Sequence, residues 1–383
     1  MNYKIEKLKD VAQVITGKTP STSNPLFYGG NISFISPADL NNSTIGKTKI
    51  TLTEIGAKQV PLLPKNSVLV SCIGNLGKVG ILDKSACFNQ QINALVFDES
   101  KILPKYGFYF SLTLQKALEK AASKTVIPIV NKSKFSDLEI SYPDLPTQTK
   151  IAQILDKADQ IRQKRKKAIE LADEFLRSLF LEMFGDPVVN SKQLPLVKLS
   201  NIGSLDRGKS KHRPRNDPIL LGGVHPLIQT GDVANCNGYI THYSSTYSDI
   251  GLAQSKKWKK GTLCITIAAN IAKTGILQFD ACFPDSIVGF QPNKKLATTE
   301  YIRFWFTFLQ KILEKNAPES AQKNINLSIL KELELPLPNL DKQEKFSEIC
   351  GKVYEIINKL DKHNNKLNEL FNSLSQQYFT KAG

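Results

Sequence analysis

Short apolar runs and long heptad-spaced stretches alternate along this chain. The runs SVLVSCIG (67–74), NALVFD (93–98), TLCITIA (262–268) and SIVGFQ (286–291) are brief and bounded by Gly, Pro or Asn. That pattern predicts short buried strands. KYGFYFSLTLQKALEKA (105–121) and TEYIRFWFTFLQKILEK (299–315) predict one helix in each half of the chain. A different spacing follows each of these. Across 147–184, apolar or small residues recur at Ile151, Ile154, Ala158, Ile161, Ala168, Ala172, Phe175 and Leu179, with Arg165 the interruption. Across 342–379 the corresponding set is Phe346, Ile349, Val353, Ile356, Leu360, Leu367, Leu370 and Leu374, with His363 the interruption. Alternating steps of three and four over about four heptads predict a coiled-coil seam. Helices of about 37 residues would each span roughly 55 Å. Proline-containing stretches (PDLPTQ, LPNLDKQ) precede both, and Gly185-Asp186-Pro187 breaks the first.

The two halves are copies. At an offset of 195, residues 75–148 align with 270–343 without a gap and share 24 of 74 positions. Average composition gives roughly 6% by chance, so the chain carries a duplication. Before residue 75 only weak echoes survive at an offset near 191, such as Gly17-Lys18 with Gly208-Lys209. Each half thus reads as a common framework with a private insert ahead of it.

The expected fold class is α+β. Two similar α/β domains (1–146 and 187–340) alternate with two long helices (147–186 and 341–383), which pair as an antiparallel coiled coil with internal pseudo-two-fold symmetry.

Charge sharpens this picture. Lys and Arg number 51 against 35 Asp and Glu, a net +16. The 1–146 segment carries +6 and 195–340 carries +7, so the excess sits in the two domains. A polyanion is the partner such a distribution favours. Six scattered cysteines with no CxxC pair argue against a disulfide scaffold or a zinc ribbon. The absence of a long apolar run or a secretory h-region leads us to expect a soluble cytoplasmic protein with no membrane partner.

Several segments resemble the specificity subunit of type I DNA restriction–modification systems. TGKTPSTSNPLFYGGNISFISPADL (16–40) is similar to that family's usual domain opening, and RGKSKHRPRNDPILLGGVHPLIQTGDV (207–233) to another common one. SYPDLPTQTKIAQIL (141–155) and PLPNLDKQEKFSEI (336–349) look like its domain-to-spacer junctions. The resemblance covers essentially the whole chain. It implies a subunit without a catalytic or metal site, in which each target-recognition domain reads one half of a bipartite, asymmetric DNA sequence. The helices would set the half-site spacing and dock two methyltransferase subunits, and restriction/translocase subunits could join them. No cofactor is implied for this chain. S-adenosylmethionine and ATP with magnesium belong to the partners.

Candidate DNA contacts follow from the residues themselves. Arg207, Lys209, Lys211, His212, Arg213 and Arg215 lie within nine residues interleaved with Gly and Pro, a loop able to follow a phosphate backbone. The bland alternative is a solvated basic loop. The counterpart in the first half, Lys18, Thr19 and Ser21, is poorer in charge. Asn75 with Lys78 and Asn270 with Lys273 recur in both halves, which suits sequence-independent phosphate contacts or, equally, structural turn residues. Lys132, Lys134, Lys323 and Asn324 lie in polar turns before the last strand of each domain and carry less weight.

Two other readings compete. Gly203-Ser-Leu-Asp-Arg-Gly208-Lys209-Ser210 matches GxxxxGK[ST], yet Pro214 and Pro218 block the helix that a phosphate-binding loop requires. The chain could instead be a coiled-coil scaffold for protein partners, its charge serving solubility.

Overall fold

The computed structural model describes residues 3–123, 126–268, 271–316 and 325–379. The chain separates into two compact units. Unit 1 holds the first domain with the start of the first long helix and the end of the second. Unit 2 holds the second domain with the remaining half of each helix.

Unit 1 is built on a five-stranded sheet in the order Ala12–Thr16, Ile92–Phe97, Val68–Ser71, Val79–Leu82, Ser43–Ile45. All neighbours are antiparallel except the last pair. A four-stranded sheet (Ile50–Leu52, Tyr28–Ile35, Ala86–Phe88, Leu62–Leu63) packs beside it, and Lys4–Lys7 pairs with Glu139–Tyr142. The strand runs expected from the sequence are present. Val68–Ser71 and Val79–Leu82 are buried at every position, as central strands covered on both faces must be.

Unit 2 repeats this topology strand for strand. Its five-stranded order is Gly203–Arg207, Ile287–Pro292, Leu263–Thr266, Thr274–Leu277, Tyr239–Ile240, again with only the last pair parallel. The equivalence reaches into the segments where the sequences diverge. Tyr28–Ile35 and Leu221–Leu227 carry the same register shift, between Tyr28 and Ile32 and between Leu221 and His225. Asn24 caps the turn Pro25–Phe27 as Asp217 caps Pro218–Leu220. Thr53 accepts from the Gly56 amide as Ser248 does from that of Gly251. The residues before 75 are therefore not a private insert. They are the same fold with its sequence rewritten.

One expected helix is interrupted. The second-half helix runs unbroken over Thr299–Asn316, whereas the first half has Pro104–Ser111 and Gln115–Ala121. Ser111 Oγ donates to the Gly107 carbonyl at 2.7 Å and Thr113 Oγ1 to that of Phe110 at 2.7 Å. Such side-chain bonds compete with the helical ladder. Phe306 and Phe308 occupy the matching positions in the second half.

The long helices span Leu145–Phe184 and Leu340–Phe379. The first half of one shares a core with the last half of the other in each unit, so the pair runs antiparallel. In unit 1, Ile151 and Leu155 join Phe371 and Phe379, and the Arg162 guanidinium lies 4.7 Å from the Phe371 ring centroid. In unit 2, Phe180 and Phe184 each stand 5.5 Å from Phe346, edge-on.

The buried stripe differs from the expected seam. Ile154, Ile161, Phe175, Ile356 and Leu370 are exposed, while Leu155, Leu176, Phe180, Cys350, Tyr354, Ile357 and Phe371 are buried. A strict 3.5-residue line describes a helix facing one partner. Each of these helices also packs on its domain, which widens and rotates the apolar stripe toward a 3.6-residue period. The remaining expected positions (Ile151, Ala158, Ala168, Ala172, Leu179, Phe346, Ile349, Val353, Leu360, Leu367 and Leu374) are buried or half-buried.

A buried glutamine fixes where each long helix leaves its domain. Gln148 Oε1 accepts from the Leu103 amide at 2.9 Å, and its Nε2 donates to the carbonyls of Lys101 (2.8 Å) and Pro143 (2.9 Å). Gln343 does the same with Thr298 (3.0 Å), Leu296 (3.1 Å) and Pro338 (2.8 Å).

Candidate nucleic-acid interface

The antiparallel register brings four strand termini to one end of each five-stranded sheet. In unit 1, Asn93 pairs with Thr16, Ile92 with Ser71, and Val70 with Val79. The loops following Thr16, following Ser71 and preceding Ile92 therefore meet there. Lys18, Thr19, Ser21, Asn75 and Lys78 all lie on these loops.

Gly17 makes the junction possible. Its amide donates to the Ile92 carbonyl at 3.2 Å, and a Cβ at this position would run into the carbonyls of Phe88 and Asn89. Beyond it Lys18 is exposed, and the hydroxyl of Thr19 meets the 89–91 loop, Thr19 Oγ1 donating to Gln90 Oε1 at 2.5 Å. Ser21 and Ser23 share a hydroxyl contact at 2.8 Å.

The 72–78 turn hangs on a buried hydroxyl that composition and spacing do not single out. Ser71 Oγ donates to the Asn75 carbonyl at 2.6 Å and accepts from the Lys78 amide at 2.9 Å. In unit 2, Thr266 Oγ1 accepts from the Lys273 amide at 3.0 Å. The shared backbone is thus a structural turn. The residue before the lysine takes a left-handed conformation in both copies, Gly77 at φ 79° and Ala272 at φ 55°. Asn75 is exposed, and the Lys78 and Lys273 side chains are half-exposed. Asn270, Lys323 and Asn324 lie outside the described residues.

Segment 128–130 joins the same end of unit 1. The Gly74 amide donates to Pro128 at 3.0 Å and the Val130 amide to Cys72 at 2.9 Å. Lys132 and Lys134 follow in a short helix capped by Asn131. Lys134 Nζ donates to the Ala121 carbonyl at 2.9 Å, so its ammonium closes the preceding helix, whereas Lys132 points to solvent as an exposed residue.

In unit 2 the same end carries the basic cluster. Gly208 repeats the role of Gly17, its amide donating to Ile287 at 2.9 Å with no room for a Cβ beside Phe283 and Pro284. The two glycines of the GxxxxGKS match are therefore accounted for by sheet geometry, since Gly203 likewise has no room for a Cβ beside Phe290 and Gln291. Gly203–Arg207 is a strand, and no α-helix follows Ser210 directly, so the segment does not form a phosphate-binding loop.

Asp285 organises the arginines. Arg207 Nε donates to its carbonyl at 2.9 Å, Arg213 Nη2 approaches Oδ2 at 3.6 Å, and Arg215 Nη2 pairs with Oδ1. Gln254 Oε1 accepts from the amides of Lys211 (2.6 Å) and His212 (3.1 Å), and Ser255 Oγ donates to the Lys209 carbonyl at 2.9 Å. His212 Nε2 lies 2.9 Å from Asp217 Oδ2. The amide of Ile219 and the His212 ring hold the Asp217 carboxyl below its ordinary value.

Gln90 and Asp285 occupy equivalent places at the repeat offset. Sequence reasoning missed both, although each stands two residues after the shared Ala-Cys-Phe. The cysteines of that tripeptide, Cys87 and Cys282, are fully buried, and burial pushes both thiols up, Cys87 to about 11. Trp258 is likewise core, stacked 4.8 Å from Phe283 beneath Lys256. No group of three His, Cys, Asp or Glu among the described residues could hold a metal ion. No described helix is long and apolar enough to cross a membrane.

Each unit of the duplicated fold thus presents its own polar loops at the same end of its five-stranded sheet. The type I restriction modification DNA specificity domain model matches residues 1–171 and 195–370, and the chain belongs to that family. It is 27% identical to the MjaVIII specificity subunit of Methanocaldococcus jannaschii, covering 93% of this chain and 87% of that one. It is 32% identical to the HindI specificity subunit of Haemophilus influenzae over 46% of this chain and 40% of that subunit. For the MjaIX specificity subunit of M. jannaschii the match (28% identity) spans 48% of this chain and 44% of the relative, so the chain spans less than half of these two relatives. The fold is that of the crystal structure of the type I system S subunit from M. genitalium, with a TM-score of 0.66, 16% identity and coverage of 99% and 96%.

Proposed function

We propose that this chain is the non-catalytic DNA-recognition subunit of a type I restriction–modification complex, each of its two domains (1–146 and 187–340) reading one half of a bipartite, asymmetric site. One observation carries the reading. Two copies of one scaffold keep their strands, turns and helix anchors, yet differ in the loops at the equivalent sheet end, Lys18–Ser21 against Arg207–Arg215. Conserved scaffolds with rewritten loops suit two heads that read different bases. The arginines supply phosphate contacts and bidentate guanine recognition.

The paired helices (147–186 and 341–383) then act as spacer and dock. Exposed Ile154 and Ile161 in unit 1, and Leu171, Phe175 and Leu181 in unit 2, offer apolar contacts to two methyltransferase subunits. S-adenosylmethionine and ATP with magnesium reside on those subunits and on any restriction/translocase subunits. The setting is cytoplasmic.

A base-resolution methylome of the source cell with this gene intact and deleted tests the proposal. Loss of adenine methylation at one split, asymmetric motif is expected on deletion. A chain that co-purifies with methyltransferase subunits yet leaves every methylated motif unchanged would sink it.

A further inference from the structure

Two exposed aliphatic side chains recur at equivalent places in the part of the chain where the copies have otherwise been rewritten. In unit 1 they are Leu26 and Ile55, in unit 2 Ile219 and Ile250, and their exposure runs from 54% to 69%. Within each pair the two stand on touching elements. The Thr53 hydroxyl donates to the Leu26 carbonyl at 2.7 Å and its amide to that of Phe27 at 3.0 Å. The Ser248 hydroxyl donates to the Ile219 carbonyl at 2.7 Å and its amide to that of Leu220 at 2.8 Å. Gly56 and Gly251 let the backbones close up, since a Cβ at either would strike the carbonyl of Phe27 or Leu220. An exposed carboxylate precedes the isoleucine in both copies, Glu54 and Asp249. Asp249 stays open to solvent although His225 Nε2 lies 2.9 Å from it.

A lone surface leucine needs no account, but a matched pair in two divergent copies does. Folding does not supply one, because side chains this exposed add little to either core. Base reading does not either, since two heads that read different bases have no cause to keep the same residues. Phosphate contact fails on charge: aliphatic groups donate nothing to a phosphate, and the neighbouring carboxylate repels it. The surface suits a protein that brings an aliphatic slot with a cation beside it. Because both copies keep the pair, that protein arrives in two equal copies, one for each unit. The place also suits a partner that acts on the DNA. Lys18–Ser21 runs into the Pro25–Phe27 turn and Arg207–Arg215 into Pro218–Leu220, so an occupant of either patch sits beside the candidate DNA contacts.

We infer that each patch docks one methyltransferase subunit, a contact on the recognition domain additional to the one offered by the long helices. The inference rests on the recognition role proposed above. Its test is a titration of methyltransferase subunits against the full chain, followed by native mass spectrometry, with DNA affinity measured in parallel. Leu26→Ser with Ile55→Ser should weaken one of the two binding events by at least about tenfold, and Ile219→Ser with Ile250→Ser the other. The chain's own affinity for DNA should not change. These are surface positions, so the thermal transition should match that of the parent protein. Glu54→Lys with Asp249→Lys discriminates between occupants. It should weaken methyltransferase binding, whereas a DNA-facing patch would gain affinity for DNA.

Parent-like binding of both methyltransferase copies by the serine variants would overturn the inference. So would tighter DNA binding by the lysine variant with methyltransferase binding unaltered. Failure of the recognition role shows differently, as a parent chain that binds no methyltransferase subunit at all, and it would take the inference with it.

Discussion

The two sheet ends solve one structural problem with different chemistry. In unit 1, position 90 is a neutral glutamine that holds one hydroxyl, Thr19. In unit 2 the equivalent position, 285, is an aspartate that holds Arg213 and Arg215. The backbone beneath is the same, a glycine whose missing Cβ lets the first strand's exit press against the preceding loop. The chemistry of these loops can therefore change without disturbing how the domain folds, because the variable side chains stand on strand exits and not in the core.

The cores differ as well, in a way that locates stability. Phe180 in unit 2 contacts Tyr301, Phe304, Phe308, Phe346 and Phe184 with centroids 5.0–6.1 Å apart. The repeat-equivalent residue in unit 1 is Ser375, also buried. Phe180→Ala should therefore cost about 3–5 kcal/mol. Ser375→Ala should cost under about 1 kcal/mol, in line with the loss of one hydrogen bond at most. Denaturant unfolding of both variants measures the contrast, and equal costs would refute the asymmetry.

Where the units are alike, the effects should be alike. Gln148→Leu and Gln343→Leu each strand one buried amide and two carbonyls, and each should cost roughly 2–4 kcal/mol. Unfolding free energies that differ by more than about 1.5 kcal/mol would show that the two helix anchors are not equivalent, since one pair of hydrogen bonds would then dominate.

The reading ends should separate under salt. Replacing Arg213 and Arg215 with Ala should lower the slope of log affinity against log salt by about two, roughly one for each phosphate no longer neutralised. Lys18→Ala should lower it by about one at most. Binding isotherms of the assembled complex between low and moderate salt decide this, and equal slopes for the two variants would erase the distinction.

The smallest effect is expected at a surface ion pair. Asp137 meets Lys9 at 2.8 Å and Lys7 at 3.2 Å, and hydrogen bonds from these lysines, Lys9 first, hold its carboxyl below the ordinary value. A lowered folded-state value contributes stability above the ordinary 3.8 and loses it as pH falls through the lowered value. Asp137→Asn should thus melt slightly below the parent near neutrality and match it in strong acid. A gap that persists in acid would assign the effect to packing.

Much of the architecture was legible in the chain. The duplication over 75–148 and 270–343 announced two copies of one fold, and the short apolar runs marked central strands that are buried on both faces. Helix position was legible too, because proline stops and a sustained apolar period are local signals. The helical face was not. Ile154 and Phe175 fit a heptad line as well as Leu155 and Leu176 fit a neighbouring one. Choosing between the lines depends on what lies beside the helix, and here each packs on both its domain and its companion.

The site divides the same way. Composition and spacing alone picked out the Arg207–Arg215 cluster and the thin counterpart Lys18–Ser21, since charge is carried by residue type. Gln90, Asp285, Ser71 and Thr266 gave no such signal, being ordinary polar residues until strand register sets them beside those loops. Likewise the GxxxxGKS match could be weighed but not resolved from letters, because a phosphate-binding loop is a conformation and Gly203–Arg207 forms a strand. Sequence by itself determined the repeat, the elements and the sign of the charge, all of which are local or additive properties. Tertiary structure decided which helix face is buried and which carboxylate holds the arginines, because those depend on contacts between residues far apart in the chain.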